Sequence, residues 1–229
     1  PTANNGTGEA GTDWVDLGIT SGGKKLLFAT RNLGAEHEYD YGDHYAWGAT
    51  EPWCTGYDQN GTSVTVTSWK DGMSAGYAQA NAPFYSSGTD GAAIYTKYTT
   101  AGDVLAAEDD AASVQWGADW RMPTTEEMQA LYDNTTSTWT DDYNNTGIAG
   151  RIFTGKEGYA NSSLFLPAAG GFSGTSYNNG GSGGYYWSST LYSSTYGRDL
   201  YFDSGGVDPQ DIDSRCYGFS VRAVRAVSE

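Results

Sequence analysis

Cysteine, histidine and positive charge are scarce in this chain. Its 229 residues carry 2 Cys, 2 His and 12 Lys+Arg against 28 Asp+Glu. Cys54 and Cys216 are too few for a disulfide scaffold and lack the paired spacing of a zinc site. Sequence leaves a single bridge between them open, because it does not supply their separation. The formal charge of -16 repels phosphate backbones, which excludes nucleic acid as a partner and disfavours anionic membrane surfaces. No apolar run approaches the ~18 residues of a membrane span, so no direct span is expected. The opening "PTANNGTGEAGTD" has neither a basic region nor an apolar segment, and no signal peptide is read in it. A phosphate loop and a strained G-x-S-x-G turn are also missing, so no catalytic residue is assigned and an enzyme is not expected.

Abundant instead are Gly (32), Tyr (18) and Trp (8). Glycine without a period implies many turns. Tyrosine and tryptophan bury apolar area while keeping a polar handle, which suits both cores and recognition surfaces. Residues 1–12 read as a flexible leader and 13–229 as a single domain. "WVDLGI" and "KLLFATRNLG" are strand candidates around the turn "TSGGKK", and Val64 and Val66 alternate in a hairpin arm after an Asn-Gly turn.

Two helices stand out. Leu105 to Gly117 has acids near its start and a glycine stop. In "RMPTTEEMQALYDN" Thr124 and Glu127 form a capping box, and Met128, Leu131 and Tyr132 share a face expected to pack in the core. Beyond it come short strands and the glycine-rich "GGFSGTSYNNGGSGG". Few helices among many strands, without βαβ alternation, predict an α+β fold.

His37 and His44 lie near Asp40 and Asp43 in "EHEYDYGDH". Their spacing matches no strong ligand pattern, and a solvated loop is expected.

Eight stretches occur in order: "WVDLG", "ATRNLGA", "YGDHYAWGATEP", "DDAASVQWGADWRMPTTEEM", "LFLPAAGG", "GYYWSST", "LYFDSG" and "YGFSVRAV". Together, over residues 13–225, they resemble the Fibrobacter-type major paralogous domain of secreted and surface proteins of gut bacteria. That family is related to the C-type lectins and the formylglycine-generating enzymes, and "WRMPTTEEM" is similar to the helix start shared across that superfamily. The resemblance implies a C-type-lectin-like fold with two helices, short antiparallel sheets, long loops, and paired N- and C-terminal strands. It also implies an extracellular or cell-surface bacterial protein.

Some proteins of that fold class are variable proteins of diversity-generating retroelements, in which randomised AAY codons near the end of the gene display a ligand-binding surface. The closing stretch fits that scheme. Trp187, Leu200, Phe202, Gly205, Gly218, Phe219, Val221 and Arg222 read as anchors. Between them Leu191, Tyr192, Ser194, Tyr196, Arg198, Asp199, Tyr201, Asp203, Val207, Asp208, Asp211, Asp213, Ser214, Cys216 and Tyr217 read as the variable surface. All are residue types that a codon ending in C or T encodes; Gln210 is not. The implied partner is a protein or glycan on another cell or phage surface. Fixed tyrosines give contact area at low entropy cost, which supports binding independently. The alternative is a fixed adhesin or carbohydrate-binding module.

No cofactor is expected. The superfamily's oxidase uses a close cysteine pair that Cys216 lacks. The alternative is calcium, as in sugar-binding lectins. "EPW" (Glu51 to Trp53) and "VDPQD" (Val207 to Asp211) match the lectin calcium loops poorly, but Asp208, Asp211 and Asp213 supply oxygen ligands.

Overall fold

The computed structural model describes residues 5–7, 13–55, 66–88 and 93–228. Strands make up 45% and helical turns 15%, so the protein is mostly β and the α+β, C-type-lectin-like expectation is overturned. Much of what lacks helical periodicity pairs into hairpins instead of running as long loops.

The first strands are β1 (Asn5–Thr7), β2 (Asp13–Ser21) and β3 (Lys24–Ala29). Gly22 and Gly23 join β2 to β3 with φ of 56° and 75°, the pair of positive values that a tight hairpin turn needs. Of the leader, Asn5–Thr7 alone is described, and it pairs with β2. Two small hairpins follow: β4 (Cys54–Thr55) with β5 (Ser68–Trp69), and β6 (Tyr85–Ser87) with β7 (Ala93–Tyr95). Of the hairpin arm expected at Val64 and Val66, Val64 lies outside the described residues and Val66 is in no strand, two residues before β5.

Helix α1 covers only Ala111–Trp116, shorter than the expected Leu105 to Gly117. Asp110 is its cap, accepting from the Ser113 amide at 3.0 Å, and the preceding Asp109 is tied instead to Tyr98, whose hydroxyl donates to it at 2.6 Å. Helix α2 (Thr125–Asn134) has the expected capping box. Arg121 holds the Glu127 side chain with two bonds of 2.6 and 2.7 Å. Met128 and Leu131 are buried, but Tyr132 is 42% exposed. The strands cover the Met128–Leu131 side of the helix, and Tyr132 stands at its margin.

Next come β8 (Thr135–Thr140), β9 (Gly150–Gly155) and β10 (Ser163–Pro167), one antiparallel sheet. They are followed by β11 (Ala169–Ser173), β12 (Ser176–Gly180), β13 (Gly183–Ser193), β14 (Tyr196–Asp203), β15 (Val207–Ser214) and β16 (Val224–Val227). The described strands form sheets in the orders β1-β2-β3-β16 and β12-β11-β13-β14-β15. The last strand therefore joins β3, antiparallel, with Val224 opposite Phe28. The expected pairing of first and last strands is corrected, because β2 is already flanked by β1 and β3.

One core gathers α2, β2, β3, β9, β10 and the inner side of β13–β14: Val15, Leu17, Phe28, Met128, Phe153 and Phe202 are all buried there. A second is built on Trp47, Trp120, Trp187 and Phe219. Gly197 belongs to it by close approach: a Cβ there would meet Trp47 at 2.9 Å and Trp187 at 3.0 Å. Each large apolar side chain so buried stabilises the fold by about 1.5–3 kcal/mol.

Candidate functional site

The strands β13, β14 and β15 have two unlike faces because side chains alternate along a strand. On one face Tyr186, Leu200 and Phe202 pack into the first core, joined by half-buried Val207. The other face carries Tyr185 and Trp187 from β13, Gly197, Asp199 and Tyr201 from β14, and Asp208, Asp211 and Asp213 from β15, as the register pairs them.

The segment 215–223 crosses part of that second face. Phe219 exchanges two backbone bonds with Tyr45, at 2.8 and 3.0 Å. Its ring lies 4.6 Å from Trp187 and 4.8 Å from Tyr185. Trp187 is thereby sealed, while Tyr185, Tyr201 and Tyr217 stay half-buried. Between this edge and β11–β12 opens a cleft of about 260 Å³, lined by Phe172, Asn178, Asn179, Tyr185, Asp213 and Tyr217 among others. A second hollow of about 530 Å³ shares Ser173, Asp213 and Tyr217 and continues along Tyr77, Gln79 and Tyr196.

The residues expected on a variable surface divide three ways. Tyr192, Ser194, Tyr196 and Asp208 are exposed, and Arg198, Tyr201, Asp203, Val207, Asp211, Asp213, Ser214 and Tyr217 are half-buried. Leu191, Asp199 and Cys216 are buried, at 1%, 0% and 5% exposure, and for them the surface reading is corrected. Leu191 belongs to the tryptophan core, Asp199 lies on the strand between Trp187 and Asp211, and Cys216 packs with Ala82 and Tyr95.

Several of the others have local structural tasks. Asp203 accepts from the amides of Gly205 and Gly206 at 2.7 and 3.1 Å and so holds the β14–β15 turn. Arg198 stacks on Tyr192 at 4.6 Å and donates to the Gln210 carbonyl at 2.6 Å. Tyr192, Arg198 and Val207 line neither cleft, whereas Tyr196, Asp213, Ser214, Cys216 and Tyr217 do. Sequence reasoning missed the opposite wall, Phe172, Ser173, Asn178 and Asn179, because the glycine-rich stretch read as loop. Its alternation of aromatic and small polar residues was the available signal.

The expected anchors are buried except Gly205, which is exposed in the turn. Cys54 and Cys216 are both free thiols. Burial pushes Cys54 up to about 11 and Cys216 up as well, which holds both protonated.

The histidine loop is not uniformly solvated. His37 is exposed, stacked on Tyr39 and 3.1 Å from Asp40. His44 is fully buried and its Nε2 lies 3.0 Å from the Ala169 carbonyl. Burial lowers it to about 4.

Among the described residues one group of acidic, thiol or imidazole side chains is arranged closely enough to hold a metal: Asp199, Asp211 and Asp213, whose ligand oxygens lie within 4.8 Å of one another. Two of these were named from sequence as calcium ligands; the third, Asp199, replaces the expected Asp208. Burial, and then the charges of Asp213, Asp211 and Asp208, push the Asp199 carboxyl well above its ordinary value. Burial and Asp211 raise Asp213 to about 6.

Among the described residues no helix is long and apolar enough to cross a membrane. The family model of a domain of unknown function (DUF8237) matches residues 140–224, a stretch that includes β9 to β15 and the whole second face. No curated protein and no solved structure matches the chain.

Proposed function

We propose that this is a ligand-binding display protein, secreted or held at a bacterial surface, whose C-terminal strands form the binding surface. The reading adds that the surface is diversified by a retroelement and that its partner is a protein or glycan on another cell or phage. The observation that carries it is the open cleft lined by Tyr185 and Tyr217 on a rigid backing, with half-buried Tyr201 beside it. Tyr201 lies 4.9 Å from Tyr185, which leans on Phe219 at 4.8 Å, and Phe219 on Trp187 at 4.6 Å. Rings fixed from behind offer contact area without a large loss of rotamer freedom, and the neighbouring Ser, Asn and Asp groups supply adaptable hydrogen bonds. The ordered resemblance over residues 13–225 supports the bacterial-surface part, and the mixed residue types set between buried anchors in the closing strands support diversification.

A fixed carbohydrate-binding module is the second reading, favoured by the half-buried Tyr185–Tyr201 pair beside Asp211 and Asp213. Sugar rings stack on such faces, and carboxylates accept from sugar hydroxyls.

Sequencing the 3′ end of the gene across its source population separates the two. Diversification predicts substitutions at Tyr192, Ser194, Tyr196, Tyr201 and Tyr217 confined to adenines of AAY-type codons, with Trp187, Leu200, Phe202 and Phe219 constant. A uniform 3′ end would reject diversification, and a glycan screen would then test the fixed module.

A further inference from the structure

Among the described residues, Asp199 is a buried carboxylate that the fold leaves without any partner. It is 0% exposed, and neither carboxylate oxygen has a hydrogen-bond partner. Trp187, directly opposite on β13, gives its Nε1 to the Tyr45 carbonyl at 2.8 Å, and Tyr201, two residues along β14, gives its hydroxyl to Asp203 at 3.1 Å. None of the ion pairs among the described residues includes Asp199, Asp211 or Asp213. Buried polar groups are almost always satisfied, and a buried carboxylate without a donor or counter-charge costs several kcal/mol. Strand register aims this orphan at its neighbours, since Asp199 sits directly opposite Asp211, and Asp213 opposite the side-chain-free Gly197.

We propose that Asp199, Asp211 and Asp213 form a binding site for a divalent hard cation of calcium's size. Calcium takes oxygen ligands at about 2.3–2.6 Å, so two oxygens on one ion are at most about 5 Å apart, and all three carboxylates meet that limit at 4.8 Å. Asp199 is the rigid floor ligand. Asp211 and Asp213, half-buried, close over the ion from the solvent side and leave room for water to complete six to eight ligands. Zinc is a poorer match, because no histidine or thiol belongs to the group. Asp213 is shared with the lining of the cleft, so the ion is tested with no cleft ligand present.

The test uses the whole chain, stripped with chelator and titrated with terbium, a luminescent stand-in for calcium that nearby aromatic rings sensitise. Trp187 faces Asp199 across the strand pair and is the expected sensitiser. We expect luminescence that saturates at one ion per chain and is displaced by calcium, a melting temperature raised by calcium, and at least a 100-fold weaker affinity in Asp199→Asn. Asp213→Asn is the second variant should Asp199→Asn fail to fold. Calcium that changes neither melting nor terbium luminescence in the unaltered protein overturns the proposal. So does luminescence that survives both substitutions, which would assign the ion to diffuse surface carboxylates.

Discussion

Two buried charges close to one another in sequence are treated in opposite ways. Arg222, 2% exposed, gives Nε and Nη2 to Asn32 Oδ1 at 2.9 and 2.7 Å and Nη1 to the carbonyls of Thr30 and Ala29 at 2.9 and 3.2 Å. Burial lowers it to about 10, which still leaves it cationic at neutral pH. Asp199 is equally buried and has nothing. Desolvating either group is expensive; the first is compensated within the fold and the second is not. A buried charge with a complete set of partners fastens one segment to another, whereas a buried charge without them marks a place where something external completes the structure.

The largest effect expected from this contrast is at Arg222. Arg222→Ala takes the guanidinium away from Asn32 Oδ1 and two carbonyls and opens a void, and should cost about 3–5 kcal/mol in denaturant unfolding. A loss under 1 kcal/mol would break the comparison, because the bonding around the guanidinium would then count for little.

Next in size is His44, a third buried ionisable group, kept neutral. Its folded value near 4 lies below the ordinary 6.5, so the folded protein binds fewer protons than the unfolded chain between those limits. Its contribution to stability is complete above about pH 6.5 and is lost as pH falls towards 4, about 3 kcal/mol in all. With only two histidines in the chain, ring NMR resolves the titration. A His44 midpoint near 6.5 in the folded protein would contradict the assignment.

The smallest effect is at Asp199 and has the opposite sign to that at Arg222. In chelator at pH 8, Asp199→Asn removes the uncompensated charge, and the new amide has Asp211 and Asp213 as acceptors. A gain of about 1 kcal/mol is expected in thermal unfolding. Destabilisation by several kcal/mol would mean that the carboxylate has a partner in the fold after all.

Where chemistry is local, the sequence was readable. Thr124 and Glu127 lie three residues apart, and their reciprocal bonds need no distant partner. The β2–β3 turn was legible for the same reason, since Gly22–Gly23 dictates its own geometry. Long-range packing hid the rest. The segment "GGFSGTSYNNGG" pairs as β11 and β12 because residues such as Gly170, Gly174 and Asn179 accept positive φ of 57–60°, which composition alone reads as irregular.

Asp199 looked like its polar neighbours because its burial comes from tertiary packing around a strand set between Trp187 and Asp211. The spacing of Asp211 and Asp213 did place them on one side of a strand, but their third companion comes from a neighbouring strand. Cys216 and Leu191 were misplaced for the same reason: the residues that cover them, Tyr95 and the Trp47 cluster, are far away in the chain.

The position of β16 has a kinetic consequence. Val224–Val227 completes the sheet that Lys24–Ala29 begins, and the segment just before it is bonded to Ala29, Leu33, Tyr45, Phe172 and Trp187. Contacts spanning nearly the whole chain close large loops before they stabilise anything, which slows folding. During synthesis β3 must wait with one edge bare until some 200 residues more have been made. Closure of this sheet is therefore expected late, and removal of the last dozen residues is expected to destabilise the whole assembly instead of trimming it.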